Sequence, residues 1–512
     1  FYYGSISDSD GALDISVDSS YFALENADPL TITSLSVTGE SSLFVEVDYL
    51  SIDLSAPRIT ATSFASIDAD AVLRATVSNF QNQGLDIVLI ESPSLTIEEG
   101  VDASVEVLTP AIFSSSVSAT PTQLLLTIQP KTAAELGLNG NETAAYTTFL
   151  DITAADADFG DGLTSYFEED ELLDAYKSVM PVTHDAATAY LSSESSLATG
   201  ALAQRLDLIG AHGKARTGYW VQENLTYRSQ DGTGEIAQYD GLGINIEGGA
   251  DRFVGDNLVV GLSAGFMTGK FKTSEEYIKQ LEATSIRVGP YASYRFGPLT
   301  LDAAGSYGLV TLSSTRTVSF GDTVDTLNGS WSGKSLSGSA RLGYEASFGK
   351  FYLRPMATLD YFRLKQNGYQ EEGATTGDAF AFAIGDATTN RTSASAILNF
   401  GRSGGRAERT DDQRVSSYGA LGGYSESLVW FQNAYAGYRK ELSSSLYSTT
   451  AQFLAGGDPF VIDDPTGYED ALLFGFGLGM SNDLFALYFS YDGETAGDAM
   501  THRGGVNFRL RF

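Results

Sequence analysis

The residues best suited to chemistry are few and scattered. The three histidines are His184, His212 and His502, and none falls into a triad or metal-ligand pattern. His184 and Asp185 are neighbours, but adjacent positions on a helix do not face each other, so the pairing reads as chance. No Gly-x-Ser-x-Gly elbow and no phosphate loop occurs. Asp156-Ala-Asp-Phe-Gly-Asp-Gly162 comes nearest to a calcium loop. Its glycine comes one place late and no glutamate closes it, so this stretch is expected to be a solvated linker. No catalytic residue, cofactor site or metal site is expected, and the chain is not read as an enzyme.

A different chemistry comes from charges placed at every second position. Arg287 and Arg295 alternate with Ile286, Val288, Pro290, Ala292, Tyr294 and Phe296. Asp302 faces away from Leu299, Leu301 and Ala303; Arg341 and Glu345 face away from Leu342, Tyr344 and Phe348; Arg354 faces away from Leu353, Pro355 and Leu359. Arg509 and Arg511 close the series against Val506, Phe508, Leu510 and Phe512. Period two is the signature of a strand with two unlike faces. A charged face on adjacent strands is not an oily core, so it is wet or plugged. The apolar face is then left with only lipid to pack on, and in hydrocarbon the sheet edges must close.

The elements that would carry these residues are about twelve strands between 216 and 512, with spans near 216–228, 241–254, 257–270, 283–296, 299–312, 333–348, 350–365, 390–402, 428–441, 467–480, 484–494 and 501–512. At about 10–14 residues they suit a tilted bilayer crossing and exceed the usual soluble strand of about 5–6. Short turns such as Gly297-Pro298 and Gly349-Lys350 alternate with polar stretches expected to be long loops, among them 270–283, 313–330, 365–390 and 457–470. That is the layout of an outer-membrane barrel. Tyr219, Trp220, Phe296, Tyr307, Phe348, Phe351, Tyr361 and Trp430 are expected in its interfacial girdles. The stretch 403–427 is the least regular, and Tyr418 to Tyr424 could extend a strand.

Upstream the pattern changes. Residues 1–130 hold short strands such as Leu30–Val37, Leu43–Val47 and Leu85–Ile90 in a Ser/Thr/Asp-rich background, which suggests stacked β-solenoid rungs, with a β-sandwich as the alternative. Residues 131–215 are alanine-rich and read as a linker and a helix. Glu169–Tyr176 opens with acids, as a helix start prefers, and Pro181 interrupts it. From His184 to Leu208 the side chains are mostly Ala and Ser, giving a helix slim enough to lie inside something. Its Glu194, Arg205 and Asp207 are candidates to pair with lumen charges such as Arg287, Arg341 and Arg354.

The bulk numbers agree. The chain has 512 residues, no cysteine, 27 tyrosines, 29 phenylalanines and a formal net charge of -34. Such an acidic chain repels nucleic acid. Residues 1–150 contain only Arg58, Arg74 and Lys131 as cations, so the two halves differ electrostatically. No apolar run of 18 residues suggests a transmembrane helix.

Several segments resemble the classical, monomeric (type V) autotransporters of Gram-negative bacteria. Leu191-Ser-Ser-Glu-Ser-Ser-Leu-Ala resembles the helix before the family's barrel, Gly218-Tyr-Trp-Val-Gln222 its first strand, and Asn482 to Gly493 its penultimate strand. Val506-Asn-Phe-Arg-Leu-Arg-Phe512 resembles its terminal strand, whose Val506, Phe508, Leu510 and Phe512 would form the signal read by the outer-membrane barrel-assembly machinery. The resemblance implies a 12-stranded antiparallel transmembrane β-barrel with an α-helix through its lumen, preceded by the end of a β-solenoid passenger. It implies contact with outer-membrane lipid and lipopolysaccharide, and an N-terminal region at the cell surface. Some members cut themselves at an Asn-Asn pair inside the barrel; none occurs in the helix region here, so one full-length band is expected. Three functions are then open. The passenger is adhesive or structural, with an unknown surface ligand; or an enzymatic passenger, an esterase or protease, has its catalytic part upstream of Phe1; or the barrel is a simple channel.

Overall fold

The structure, a computed structural model, describes residues 13–24, 29–68, 70–97, 107–182, 186–193, 218–232, 238–255, 257–273, 279–373, 380–403, 428–445, 447–463, 469–481 and 485–511. The chain forms two compact units. One comprises Phe1–Met180 with Val318–Asp325 and Ala455–Phe460; the other comprises Pro181–Thr317, Thr326–Leu454 and Val461–Phe512. The division falls at Met180/Pro181, and 131–180 belongs with the preceding residues.

The first unit begins with short strands: β1 (Asp14–Asp18), β2 (Tyr21–Leu24), β3 (Leu30–Thr38), β4 (Ser42–Asp48), β5 (Ile59–Ile67), β6 (Val72–Ser78), β7 (Leu85–Glu91), β8 (Leu95–Ile97) and β9 (Val107–Leu108). Odd-numbered β1, β3, β5 and β7 pair in parallel in one sheet, while β2, β4, β6 and β9 form a second parallel sheet. This is the expected solenoid, each rung donating a strand to both sheets. Every second side chain enters the core: Val45 and Val47 from β4, Ile59, Ala61 and Ala65 from β5 are all buried. The hairpin β10 (Phe113–Ala119) and β11 (Gln123–Pro130) ends the stack, β11 running antiparallel to β7.

Three helices follow: α1 (Gly140–Ala155), α2 (Ala157–Thr164) and α3 (Glu169–Val179). The stretch expected to be a solvated linker is therefore helical from Ala157. The Asp156 carboxylate is occupied as its N-cap, accepting from the backbone N–H of Asp158 at 3.0 Å and Phe159 at 3.4 Å. α3 carries Glu169, Asp170 and Glu171 in its first turn and Lys177 in its last, the signs a helix dipole favours. It stops at Met180, held extended (φ -67, ψ 143) because Pro181 disfavours the helical region for the residue before it. Phe149 packs on Tyr176 at 4.8 Å and on Phe320 at 5.5 Å.

The second unit contains the barrel. Its strands are β12 (Gly218–Gln230), β13 (Tyr239–Val254), β14 (Leu258–Thr273), β15 (Lys279–Phe296), β16 (Leu299–Phe320), β17 (Thr323–Tyr344, continued by β18, Ala346–Phe348), β19 (Phe351–Gln366), β23 (Ala387–Ser403), β24 (Val429–Ser445), β27 (Ala471–Ser481), β28 (Phe485–Ala496) and β29 (Ala499–Arg511). Each pairs with the next, and β29 returns to β12 along its whole length, from Gly218↔Arg511 to Gln230↔Ala499, closing twelve antiparallel strands. Between them lie β20 (Tyr369–Gln370), β21 (Glu372–Gly373), β22 (Phe382–Ile384), β25 (Ser448–Phe453) and β26 (Gly456–Asp463).

The expected strands all appear, but 313–330 is no loop. β16 and β17 run 22 residues each, joined at Gly321 in a tight turn (φ 56). Polar alternation (Ser313, Thr315, Thr317 against Ser314, Arg316, Val318) hid a hairpin whose strands outrun the bilayer. Likewise part of 457–470 is β26, and 365–390 contains β20, β21 and β22. The stretch 404–427 lies outside the described residues.

The outer wall is apolar: Leu262 is 67% exposed, Leu309 60% and Phe476 61%. Tyr219, Phe296, Phe348 and Trp430 lie outward near strand ends as expected. Trp220 does not join that girdle. Alternation turns it inward, where it is buried and donates its indole N–H to Tyr291 Oη at 2.8 Å.

Candidate functional site

Inward positions of the twelve strands line a charged bore, and the charges there are paired between strands. Arg287 Nη2 donates to Glu247 Oε2 at 2.7 Å and to Asn245 Oδ1 at 3.3 Å. Arg341 donates twice to Asp302 Oδ2, at 2.9 and 2.5 Å. Arg354 pairs with Glu345. On the facing strands Arg391 pairs with Glu441, Glu441 also accepts from Arg439, and Arg439 Nη2 reaches Glu494 Oε1 at 2.8 Å. Buried cations of this kind are tolerable only when paired and hydrogen-bonded.

Five of the six expected lumen charges thus sit in ion pairs. Arg295 is half-buried at the short-turn end, and no ion pair to it occurs among the described residues. Glu247, Arg391, Arg439, Glu441 and Glu494 were not singled out from sequence. Their parity on the expected strands could have marked them as inward-facing. The pairing could not be read, because it depends on which strand stands beside which.

A helix occupies the bore at residues 186–193, within the slim segment expected from 184 to 208. Its side chains lie against the wall: Ala186, Ala187, Tyr190 and Leu191 share a buried cluster with Met267, Phe271, Leu281, Leu312, Trp331 and Phe362. Tyr190 is completely buried. Its hydroxyl lies 3.0 Å from the Thr268 carbonyl and 3.2 Å from that of Ile244. The ring sits in a notch that glycines make. A Cβ on Gly243 would come 2.4 Å from the ring, and one on Gly269 2.8 Å. Arg391 Nη1 donates to Ser192 Oγ at 3.0 Å, tying the helix to the charge chain. Glu194, Arg205, Asp207, His184, His212 and Phe512 lie outside the described residues. Val506, Phe508 and Leu510 face outward on β29, which is paired on both sides.

The helix and the first barrel strand start near different ends of the bore. Tyr190 lies beside Thr268 and Phe271, close to the Thr273 end of β14, the end at which β16 and β17 form their long hairpin. Gly218 starts β12 opposite Asp251 and Arg511, beside the short turn at Gly255. The described helix at 186–193 thus lies toward the long-hairpin end of the bore, and β12 begins at the short-turn end.

A closed antiparallel barrel with an apolar outer wall and a paired, helix-filled charged bore is an outer-membrane β-barrel. The autotransporter beta-domain family matches residues 219–492, and the chain belongs to that family, whose barrels lie in the Gram-negative outer membrane and serve passenger export across it. Among solved structures, the translocator domain of the autotransporter NalP from Neisseria meningitidis is similar, at 17% identity and a TM-score of 0.48 over 64% of this chain and 98% of that one. The beta domain of the Bordetella autotransporter BrkA aligns at 16% identity and a TM-score of 0.37 over 58% and 100%. The transport unit of AIDA-I from Escherichia coli aligns at 10% identity and 0.37 over 58% and 90%. No curated protein matches the chain.

Proposed function

We propose that the barrel exports the part of the chain preceding Pro181, holds it at the cell surface, and that this part is an adhesive or structural passenger. The observation that carries the reading is the helix at 186–193 inside the bore. The helix at 186–193 lies toward the long-hairpin end of the bore while β12 begins at the short-turn end, which supports export of the preceding part by way of the long-hairpin end. Long connections face the outside in barrels of this class. The solenoid that precedes the helix is built on two sheets of short strands in a Ser/Thr-rich background, a form suited to contact with other surfaces.

The test is protease treatment of intact cells that express the chain. Digestion should remove the region before the barrel, leave a membrane-embedded fragment that starts near the helix, and abolish retention of the cells on surfaces to which untreated cells bind. If the N-terminal region is cut only after the outer membrane is permeabilised, export is refuted. If shaved and untreated cells adhere equally, the adhesive role is refuted.

A further inference from the structure

The outer wall carries three cations whose placement is unfavourable for the protein alone. Lys334 on β17 stands directly opposite Lys365 on β19, and Arg363 follows two residues away on the same face, opposite Leu336. All three are exposed. Like charges directly across an antiparallel pair destabilise the sheet. No hydrogen bond or ion pair to any of the three occurs among the described residues, whereas two other wall lysines are matched: Lys270 to Glu282 at 2.9 Å and Lys440 to Asp470 at 3.3 Å. In a chain with a net charge of -34, an uncompensated cluster of three cations is conspicuous.

Its height on the barrel says what meets it. On β19 the outward side chains run Phe351, Leu353, Pro355, Ala357, Leu359 and Tyr361, then Arg363 and Lys365. From Phe351 to Tyr361 is about 25 Å along the barrel axis once strand tilt is counted, the height of the apolar band of such barrels. Aromatic residues at both ends of that stretch match the two interfacial girdles. The cations therefore stand immediately beyond the band, at headgroup level, on the side of the long hairpins.

We propose that Lys334, Arg363 and Lys365 form a binding site for the phosphates of lipopolysaccharide in the outer leaflet, with the acyl chains lying along Leu336, Leu359 and Tyr361. This rests on the reading that the long hairpins face outward. An Arg fork takes a phosphate with two parallel N–H donors, and the cross-strand ammonium groups of Lys334 and Lys365 suit a second phosphate on the same glycolipid. The ligand removes the repulsion between Lys334 and Lys365, which explains why the sheet tolerates them opposite each other.

The full-length protein, purified in detergent with EDTA present, is to be titrated with bisphosphorylated lipid A and bound lipid counted by native mass spectrometry. One lipid A should bind, and the triple variant Lys334→Gln/Arg363→Gln/Lys365→Gln should bind about a hundredfold more weakly, in line with the contribution of each cation near a charged lipid surface. The control Lys272→Gln/Lys440→Gln should match wild type. Equal binding by the triple variant overturns the site. So does equal affinity for phosphatidylglycerol, which would make the patch a general anion surface. Orientation is read separately by labelling Asn367→Cys on intact cells with an impermeant maleimide, clean in a chain without cysteine. Failure to label refutes the outward reading whatever lipid A does.

Discussion

At the scale of single residues, Tyr190 carries more than its size suggests. Its ring occupies space that exists only because Gly243 and Gly269 lack side chains, so it can seat at one depth of the bore and no other. Gly243→Ala would drive a methyl group into the ring and unseat the helix. In planar bilayers this variant should show larger and more frequent open-pore conductance than the parent. Tyr190→Ala should do the same, losing about 3–5 kcal/mol of packing as large buried aromatics do. The double variant should be no leakier than Tyr190→Ala alone, because the methyl then meets a void. Additive leakage would show that the two act separately. In the solenoid, Asp48 accepts from Ser51 Oγ, Leu50 N and Asn79 Nδ2. These bonds, the Ser51 hydroxyl foremost, hold its carboxyl below the ordinary value of 3.8. Its contribution is therefore present above that value and fades as the pH falls through the lower folded one. Asp48→Asn should flatten the acid limb of solenoid stability measured by circular dichroism below about pH 4, and an unchanged limb would rule this bond set out.

At the scale of elements, the bilayer-crossing parts of the strands were legible because lipid on one face and charge on the other enforce strict period two. The parts beyond the membrane were not. At Ser313–Thr317 both faces of β16 are polar, and alternation of hydrophobicity vanishes although the strand continues. Arg316 shows what was missed. It is fully buried, donates to both carboxylate oxygens of Glu371, at 3.0 and 2.7 Å, and to the Phe380 carbonyl at 2.5 Å, and lies 5.0 Å from the Phe382 ring centroid. Glu371 also accepts from the Phe382 N–H at 3.0 Å. Nothing in the spacing joins residue 316 to residue 371; only the fold does. Removing one partner strands a buried charge at a cost of about 3–5 kcal/mol. Arg316→Met should therefore expose the 369–384 segment to limited proteolysis, while Arg316→Met/Glu371→Leu should restore most of the resistance. A double variant as sensitive as the single one would mean that the pair shapes the segment rather than merely neutralising itself.

At the scale of the whole molecule, the charge separation visible in the sequence reflects two environments. Cations are nearly absent before residue 150, where the surface is open to water. In the barrel unit they line the bore, where Arg287, Arg341, Arg354, Arg391 and Arg439 each have an acid beside them, and they recur on the outer wall beyond the apolar band. The two compact units are also held by different forces. One has an apolar core of stacked rungs; the other has a lipid-facing wall and a continuous ring of backbone hydrogen bonds. Unfolding is then not expected to be two-state. The chain offers its own reporters, because all three tryptophans, Trp220, Trp331 and Trp430, fall in the barrel unit and none in the other. In detergent micelles under increasing urea, far-ultraviolet circular dichroism should show a first loss of β and helical signal while tryptophan emission stays constant. The emission should shift only at higher denaturant or on heating, when the closed sheet opens. One coincident transition by both probes would show that the units stand or fall together. That would mean the solenoid draws its stability from the barrel rather than from the core formed by residues such as Leu35, Val47 and Ile59.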